Sequence, residues 1–260
     1  PMYLEIDDYD KIINQIDHQP PFGMYKDNYL LSGIPIGGEI NRYTADIKFQ
    51  CSIRHRLTKT VLPYNTFLML TYTQKSFWDI YAKSAPFKDN NYNPGLSLIK
   101  HVICRNQLLG IATLAFEHES NGRDSIESRG WNYFTLSGVY LFNPSFSIQA
   151  KVWAGWLDKG DKDLGGGNTD LYKYRGYGLI ALNYRSLNDK IWVSAVINPR
   201  TKPGNFNTQL ELNIKLNRRS NQYFFIQYYN GYCESLLDYN RHTSMLRAGI
   251  CIKPPTRNLY

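Results

Sequence analysis

"QLELNIKL", residues 209–216, alternates without a break: Leu210, Leu212, Ile214 and Leu216 share one face, Gln209, Glu211, Asn213 and Lys215 the other. A period of two is that of an extended chain, whose successive side chains point to opposite sides, so this stretch is a strand with one apolar and one polar face. The same rhythm recurs in "FSIQAKVWAGWL" (146–157), "YGLIALNYRSL" (177–187), "KIWVSAVI" (190–197), "YFFIQYYNGY" (223–232) and "SMLRAGICI" (244–252). Each is roughly ten residues long, about the span of a tilted strand crossing a bilayer.

Short connectors, "NPS" (143–145), "SLND" (186–189) and "NRRSN" (217–221), alternate with longer polar ones such as 157–171, which contains "GGGN". Tight turns at one end and long loops at the other suit an outer-membrane barrel. The 21 tyrosines cluster near segment ends, where an interfacial aromatic girdle would lie. Counting segments gives ten to twelve strands, and the expected fold is all-β: an antiparallel transmembrane β-barrel, about 12 strands, over residues 41–260. An irregular extended segment precedes it, residues 1–40, in which Pro20, Pro21, Pro35 and several glycines interrupt any long strand. A soluble β-sandwich or lipocalin-like barrel shares the alternation and stays open on that ground alone.

Composition narrows the field. A chain of 260 residues can be one all-β domain. Its 43% hydrophobic and 15% aromatic content excludes disorder. A mean hydropathy of -0.44, with no run of 18 apolar residues, excludes a bundle of membrane helices but not a membrane barrel. The formal charge of +8 comes without a dense Lys/Arg patch or a recognition motif, so no nucleic-acid partner is expected. Cys51, Cys104, Cys233 and Cys251 show no metal-ligand spacing and read as packing residues or an incidental disulfide. The first residues lack a basic region followed by an apolar one. With the strand pattern, that favours a chain whose export signal has been removed over a cytoplasmic one.

The candidate chemistry lies in "EHESNGRDSIESRGWN" (117–132). In a strand, residues i and i+2 face the same way, so His118 and Ser120 stand side by side. The imidazole can then take the proton that a serine hydroxyl must lose to become a nucleophile. "WNYFTLSGVYLF" (131–142) is the next strand. Asn132 at its start can sit opposite His118, where its amide oxygen would fix the ring's tautomer. His-x-Ser alone is a weak signal and is compatible with two polar surface residues.

The surrounding letters, "HESNGR" and then "SRGWN", closely resemble the active-site signature of outer membrane phospholipase A, a family of calcium-dependent serine hydrolases. "YTQKSFWDI" (72–80), "SAPFKDNNYNP" (84–94), "TDLYKYRGY" (169–177) and "YYNGYCESLLDYN" (228–240) resemble further blocks in the same order. The resemblance implies a twelve-stranded barrel in a Gram-negative outer membrane, with Ser120 as nucleophile, His118 as general base and Asn132 as orienting residue, all facing lipid. It implies Gly122 as the oxyanion amide and calcium held by the carbonyl of Arg123, the carbonyl and hydroxyl of Ser128, and Ser84 of a second subunit. Asp170 matches a further acidic ligand, while Ser125 stands where the family has an acidic residue, with Asp124 adjacent. Gln74 matches a polar residue of the family's dimer interface. The implied activity is dimerisation-activated hydrolysis of acyl esters in membrane phospholipids and lysophospholipids. A lipid A deacylase barrel and a non-enzymatic pore are the competing readings.

Overall fold

The computed structural model describes residues 9–105, 107–160, 163, 165–254 and 260. Thirteen strands follow in chain order: β1 (Phe22–Met24), β2 (Asn28–Pro35), β3 (Asp46–Arg56), β4 (Thr66–Trp78), β5 (Phe87–Cys104), β6 (Gln107–Ser120), β7 (Gly130–Leu141), β8 (Phe146–Leu157), β9 (Gly178–Arg185), β10 (Ile191–Pro199), β11 (Phe206–Lys215), β12 (Gln222–Gly231) and β13 (Thr243–Ile252). From β2 to β13 each strand pairs antiparallel with the next, and β13 pairs with β2, closing the sheet. Strand β1 pairs with the far end of β3, continuing the edge that β2 occupies, so β1 and β2 are one interrupted wall strand and the barrel has twelve.

The boundary expected at residue 40 is therefore too late. Residues 22–24 and 28–35 belong to the wall, while residues 1–8 of the expected N-terminal segment lie outside the described residues. Helix α1 (Tyr9–His18) does stand apart from the wall. It buries Ile16 against Phe67, Met69 and Ile99 inside the tight-turn end. Arg56 from β3 donates to the carbonyls of Ile16, Asp17 and Gln19, satisfying the orphan acceptors at the helix C-terminus with a cation.

Polarity runs opposite to that of a soluble protein. On β11, Asn213 is 0% exposed and faces the lumen, whereas Ile214 is 43% exposed and faces out. Leu114, Phe116, Phe134, Leu136 and Ile250 likewise stand on the outer surface. Such a band suits hydrocarbon, and closure leaves no strand edge without hydrogen-bond partners there. No described helix is long and apolar enough to cross a membrane.

Ion pairs fill the lumen. Arg247 on β13 makes a two-pronged contact with Asp46, at 2.9 and 2.7 Å, and reaches Glu234 at 2.6 Å. Lys48 also donates to Glu234, at 2.9 Å. Glu234 comes from the loop after β12, so this cluster ties a long loop to β13 and β3, the two strands that flank β2. Burial pushes the Glu234 carboxyl up, but Arg247 and Lys48 outweigh it and hold it down at about 2.

A carboxyl depressed in the folded state stabilises above its unfolded value, and the benefit fades as pH falls towards the folded one. Glu234→Gln leaves Arg247 and Lys48 short of a partner and should destabilise the barrel at pH 7 by on the order of 3–5 kcal/mol. The gap to the parent chain, read as the denaturant midpoint of tryptophan fluorescence in detergent, should shrink between about pH 4.5 and pH 2. A pH-independent gap would rule out the charge as its origin.

Candidate active site

Strands β6 and β7 form a hairpin across the 121–129 loop, with His118 opposite Asn132 and Ser120 opposite Gly130. Glu117, Glu119, Trp131 and Tyr133 point inward and are buried. The alternation therefore turns His118, Ser120 and Asn132 outward, level with Phe116 and Phe134. The His118 ring Nδ1 lies 2.9 Å from Asn132 Oδ1, a contact that an Nδ1–H donates, leaving Nε2 as the basic nitrogen. His118 and Ser120 are i and i+2 on one face, and among the described residues the Ser120 hydroxyl has no hydrogen-bond partner. Catalytic hydrogen bonds often tighten only once substrate is bound.

Beside these groups lies an apolar shelf. Phe116 packs on Phe134 at 5.2 Å between ring centres, and Phe134 on Trp156 at 6.1 Å. Trp156, directly opposite Asn132 on β8, is 63% exposed. The polar trio thus sits at the edge of a surface suited to acyl chains.

The inner side is rigid. Trp131 and Tyr133 stack with ring centres 3.6 Å apart. Glu119 accepts from Trp131 Nε1 at 2.9 Å and pairs with Arg175, in the short helix α2 (Leu171–Arg175), at 3.0 Å. Fixed partners beneath the sheet limit how far the outward residues can shift.

One buried amide organises the connecting loop. Asn121 Oδ1 accepts from the backbone N–H groups of Arg123 (3.3 Å) and Arg129 (3.0 Å), and its Nδ2 donates to the Glu127 carbonyl at 2.8 Å. Gly122 follows at φ +65°, and a Cβ there would lie 2.9 Å from Tyr92, the residue opposite Ser120 on β5. Among the described residues nothing accepts the Gly122 N–H. Sequence reasoning missed Asn121, because its partners are set by the closed loop rather than by any spacing.

The expected calcium donors are gathered only in part. Ser128 Oγ donates to Asp158 Oδ2 at 3.2 Å, which places a hydroxyl beside a carboxylate that the sequence had not singled out. The Ser128 carbonyl already accepts from Gly167 N–H at 2.9 Å and from Arg129 at 2.7 Å. Arg123 lies in the same loop, its guanidinium paired with Glu127. Asp170 is not joined to either residue: its carboxylate accepts the Tyr239 hydroxyl at 2.5 Å. Burial and that carboxylate push the Tyr239 hydroxyl well above its ordinary range, so it remains a donor. Ser125, at φ +53°, has its carbonyl packed under Gly166. No cluster of three acidic, His or Cys groups occurs among the described residues. The hydroxyl and carboxylate at Ser128 and Asp158 are hard oxygen donors of the kind calcium takes, so the donor chemistry fits that ion.

Ser84, at φ +68°, is exposed on the 79–86 loop at this same end. Gln74 faces outward on β4, accepting from Tyr72 at 3.2 Å and donating to Ser76 at 3.1 Å. It is therefore on the wall and not in the lumen. Gln74, Tyr92 and Ser120 are register neighbours on three adjacent strands, which puts Gln74 about 10 Å from the nucleophile position.

Residues 166–168 pack on the loop between β6 and β7: Gly167 N–H donates to the Ser128 carbonyl, and Asn168 Oδ1 accepts from Gly130 N–H. At Gly166, φ +85°, a Cβ would lie 2.2 Å from the Ser125 carbonyl oxygen. Gly166→Ala should therefore lift this loop from the 121–129 loop, raising the susceptibility of both to limited proteolysis while the barrel stays folded. An unchanged cleavage pattern would show that the two loops do not depend on each other.

Comparison with known proteins identifies the family and the fold. The phospholipase A1 family model matches residues 23–252. The phospholipase A1 of Escherichia coli K12 is 30% identical over 211 residues, covering 80% of this chain and 69% of that one. A putative phospholipase A1 of Neisseria meningitidis is 32% identical over 219 residues, 79% of this chain, which spans only 54% of that longer protein. The solved outer membrane phospholipase A of Escherichia coli superposes with a TM-score of 0.77 at 25% identity, over 96% of this chain and 98% of the other. A Salmonella typhi outer membrane phospholipase, described as a dimer with bound calcium, gives 0.77 at 26% identity, over 93% and 97%. With its twelve-stranded barrel and a family match over most of its length, the chain belongs to the phospholipase A1 family.

Proposed function

We propose that this protein is a serine hydrolase of the bacterial outer membrane that cleaves acyl ester bonds of phospholipids and lysophospholipids, at A1 and A2 positions. The observation that carries this reading is the outward placement of the hydrogen-bonded His118–Asn132 pair with Ser120, at the rim of an apolar wall. A lipid held against Phe134 and Trp156 brings its ester to Ser120 without leaving the bilayer.

In the proposed reaction His118 Nε2 takes the Ser120 proton as Oγ attacks the ester carbonyl, and Asn132 Oδ1 holds the Nδ1–H through the step. The imidazolium then gives its proton to the departing lysolipid oxygen, leaving an acyl-serine. Water, deprotonated by the same imidazole, attacks that ester, and the imidazolium returns the proton to Ser120 Oγ as the fatty acid leaves. The Gly122 N–H is the donor for the tetrahedral oxyanion. Calcium, when bound near Ser128, Asp158 and the Arg123 carbonyl, supplies positive potential to the same region.

Dimer activation belongs to the same proposal. The Salmonella typhi relative is described as a dimer with calcium. Here Gln74, Tyr92 and Ser120 form one continuous strip of the outer wall, and Ser84 stands above it. A partner docking on β4 and β5 would wall the substrate groove and offer its own loop to the calcium site. Lipid A deacylase barrels are smaller, with eight strands and an acidic residue orienting the histidine, so that reading fits poorly with twelve strands and Asn132. A pore reading fits poorly with reactive residues outside the lumen.

Phospholipid hydrolysis in mixed micelles tests the proposal. Activity should need calcium, vanish with a chelator, and fall at least about a thousandfold in Ser120→Ala with the barrel still folded. Asn132→Ala should lose less, since the side chain orients and does not react. A Ser120→Ala variant as active as the parent would remove the serine mechanism.

A further inference from the structure

Strand β5 carries a proline where the sheet can least accommodate one. In a closed barrel there is no free edge, and a mid-strand proline removes one ladder hydrogen bond. The β5–β6 ladder has rungs at Tyr92–Ser120 and Gly95–Glu117, and none at the two positions between. That is the gap produced when Pro94, opposite His118, cannot donate to the His118 carbonyl. The other side of β5 is intact: Asn93 and Pro94 both pair in register with β4.

The orphaned acceptor is not left bare. Asn93 Nδ2 donates to the His118 carbonyl at 2.9 Å and to the Tyr133 hydroxyl at 3.1 Å. One amide therefore links three strands: β5, the strand of the imidazole and the serine, and the strand of Asn132, the neighbour of Tyr133. Tyr133 is itself fixed by its stack on Trp131.

We propose that Asn93 is a positioning residue for the hydrolase reaction, standing in for the backbone N–H that Pro94 lacks and holding the backbone of His118 in register between Ser120 and Asn132. This rests on Ser120 and His118 being the reacting pair. The side chain does what the ladder cannot, and its second contact couples the imidazole strand to the orienting strand. An ångström-scale drift of the base costs rate and leaves lipid binding on the outer wall unaffected.

The test uses full-length protein in phospholipid–detergent micelles with calcium, kinetics normalised to folded barrel by heat-dependent gel mobility. Asn93→Ala should lower kcat about tenfold with KM within about twofold. Asn93→Asp, similar in shape but without the donor, should be as slow. Pro94→Ala, added to Asn93→Ala, restores an N–H facing the His118 carbonyl and should return most of the lost kcat, which a packing role for Asn93 would not allow. Wild-type kcat in Asn93→Ala, or a double variant as slow as the single one, would overturn the inference alone. A parent chain that hydrolyses no phospholipid would overturn the proposed function, and the inference with it.

Discussion

A backbone inside hydrocarbon must satisfy each N–H and C=O within the protein, and everything else in this structure follows from that constraint. Twelve antiparallel strands meet it by closing on themselves, with β13 pairing to β2. Closure gives each strand a wet face and a lipid face. Charged groups collect on the first, where Arg247, Lys48, Asp46 and Glu234 neutralise one another, and leucine and phenylalanine collect on the second. Residues two apart on a strand share a face, so an outward Phe116 commits His118 and Ser120 to the outside as well.

That commitment explains why the candidate site is built so differently above and below the sheet. Outside are an amide, an imidazole and a hydroxyl, none with a permanent charge to desolvate in lipid. Inside, next to the trio along β6 and β7, are Glu117, Glu119, Trp131 and Tyr133, whose ion pairs with Lys151 and Arg175 and stacked rings are shielded from the bilayer. Electrostatic rigidity is thus supplied through the strand rather than across the membrane surface. The long loops cluster at the same end, so calcium-type oxygen donors come within reach of an otherwise uncharged trio.

Much of this was legible in sequence, because it depends on local periodicity. The alternation of "QLELNIKL" gives β11, and the "HES…WN" spacing places His118 opposite Asn132 once the hairpin closes. What escaped was set by contacts between distant strands. Residues 28–35 read as irregular because of Gly33 and Pro35, yet Gly33 is a packing requirement: a Cβ there would lie 2.2 Å from Arg247, more than two hundred residues away. Asp158 and Asn121 gave no signal, since their partners appear only when two loops fold together. The hydrogen bond from the Tyr239 hydroxyl to Asp170 likewise joins two loops that no local pattern ties together.

The central claim is the outward facing of the trio, and spin labelling tests it most directly. Single nitroxide side chains at positions 119 and 120, in separate variants reconstituted into bilayers, report exposure to lipid-dissolved oxygen and to a water-soluble nickel chelate. The label at position 120 should relax with oxygen and ignore the chelate, while the label at 119 should be shielded from lipid. The reverse pattern, with 120 reached from the aqueous lumen, would contradict the account.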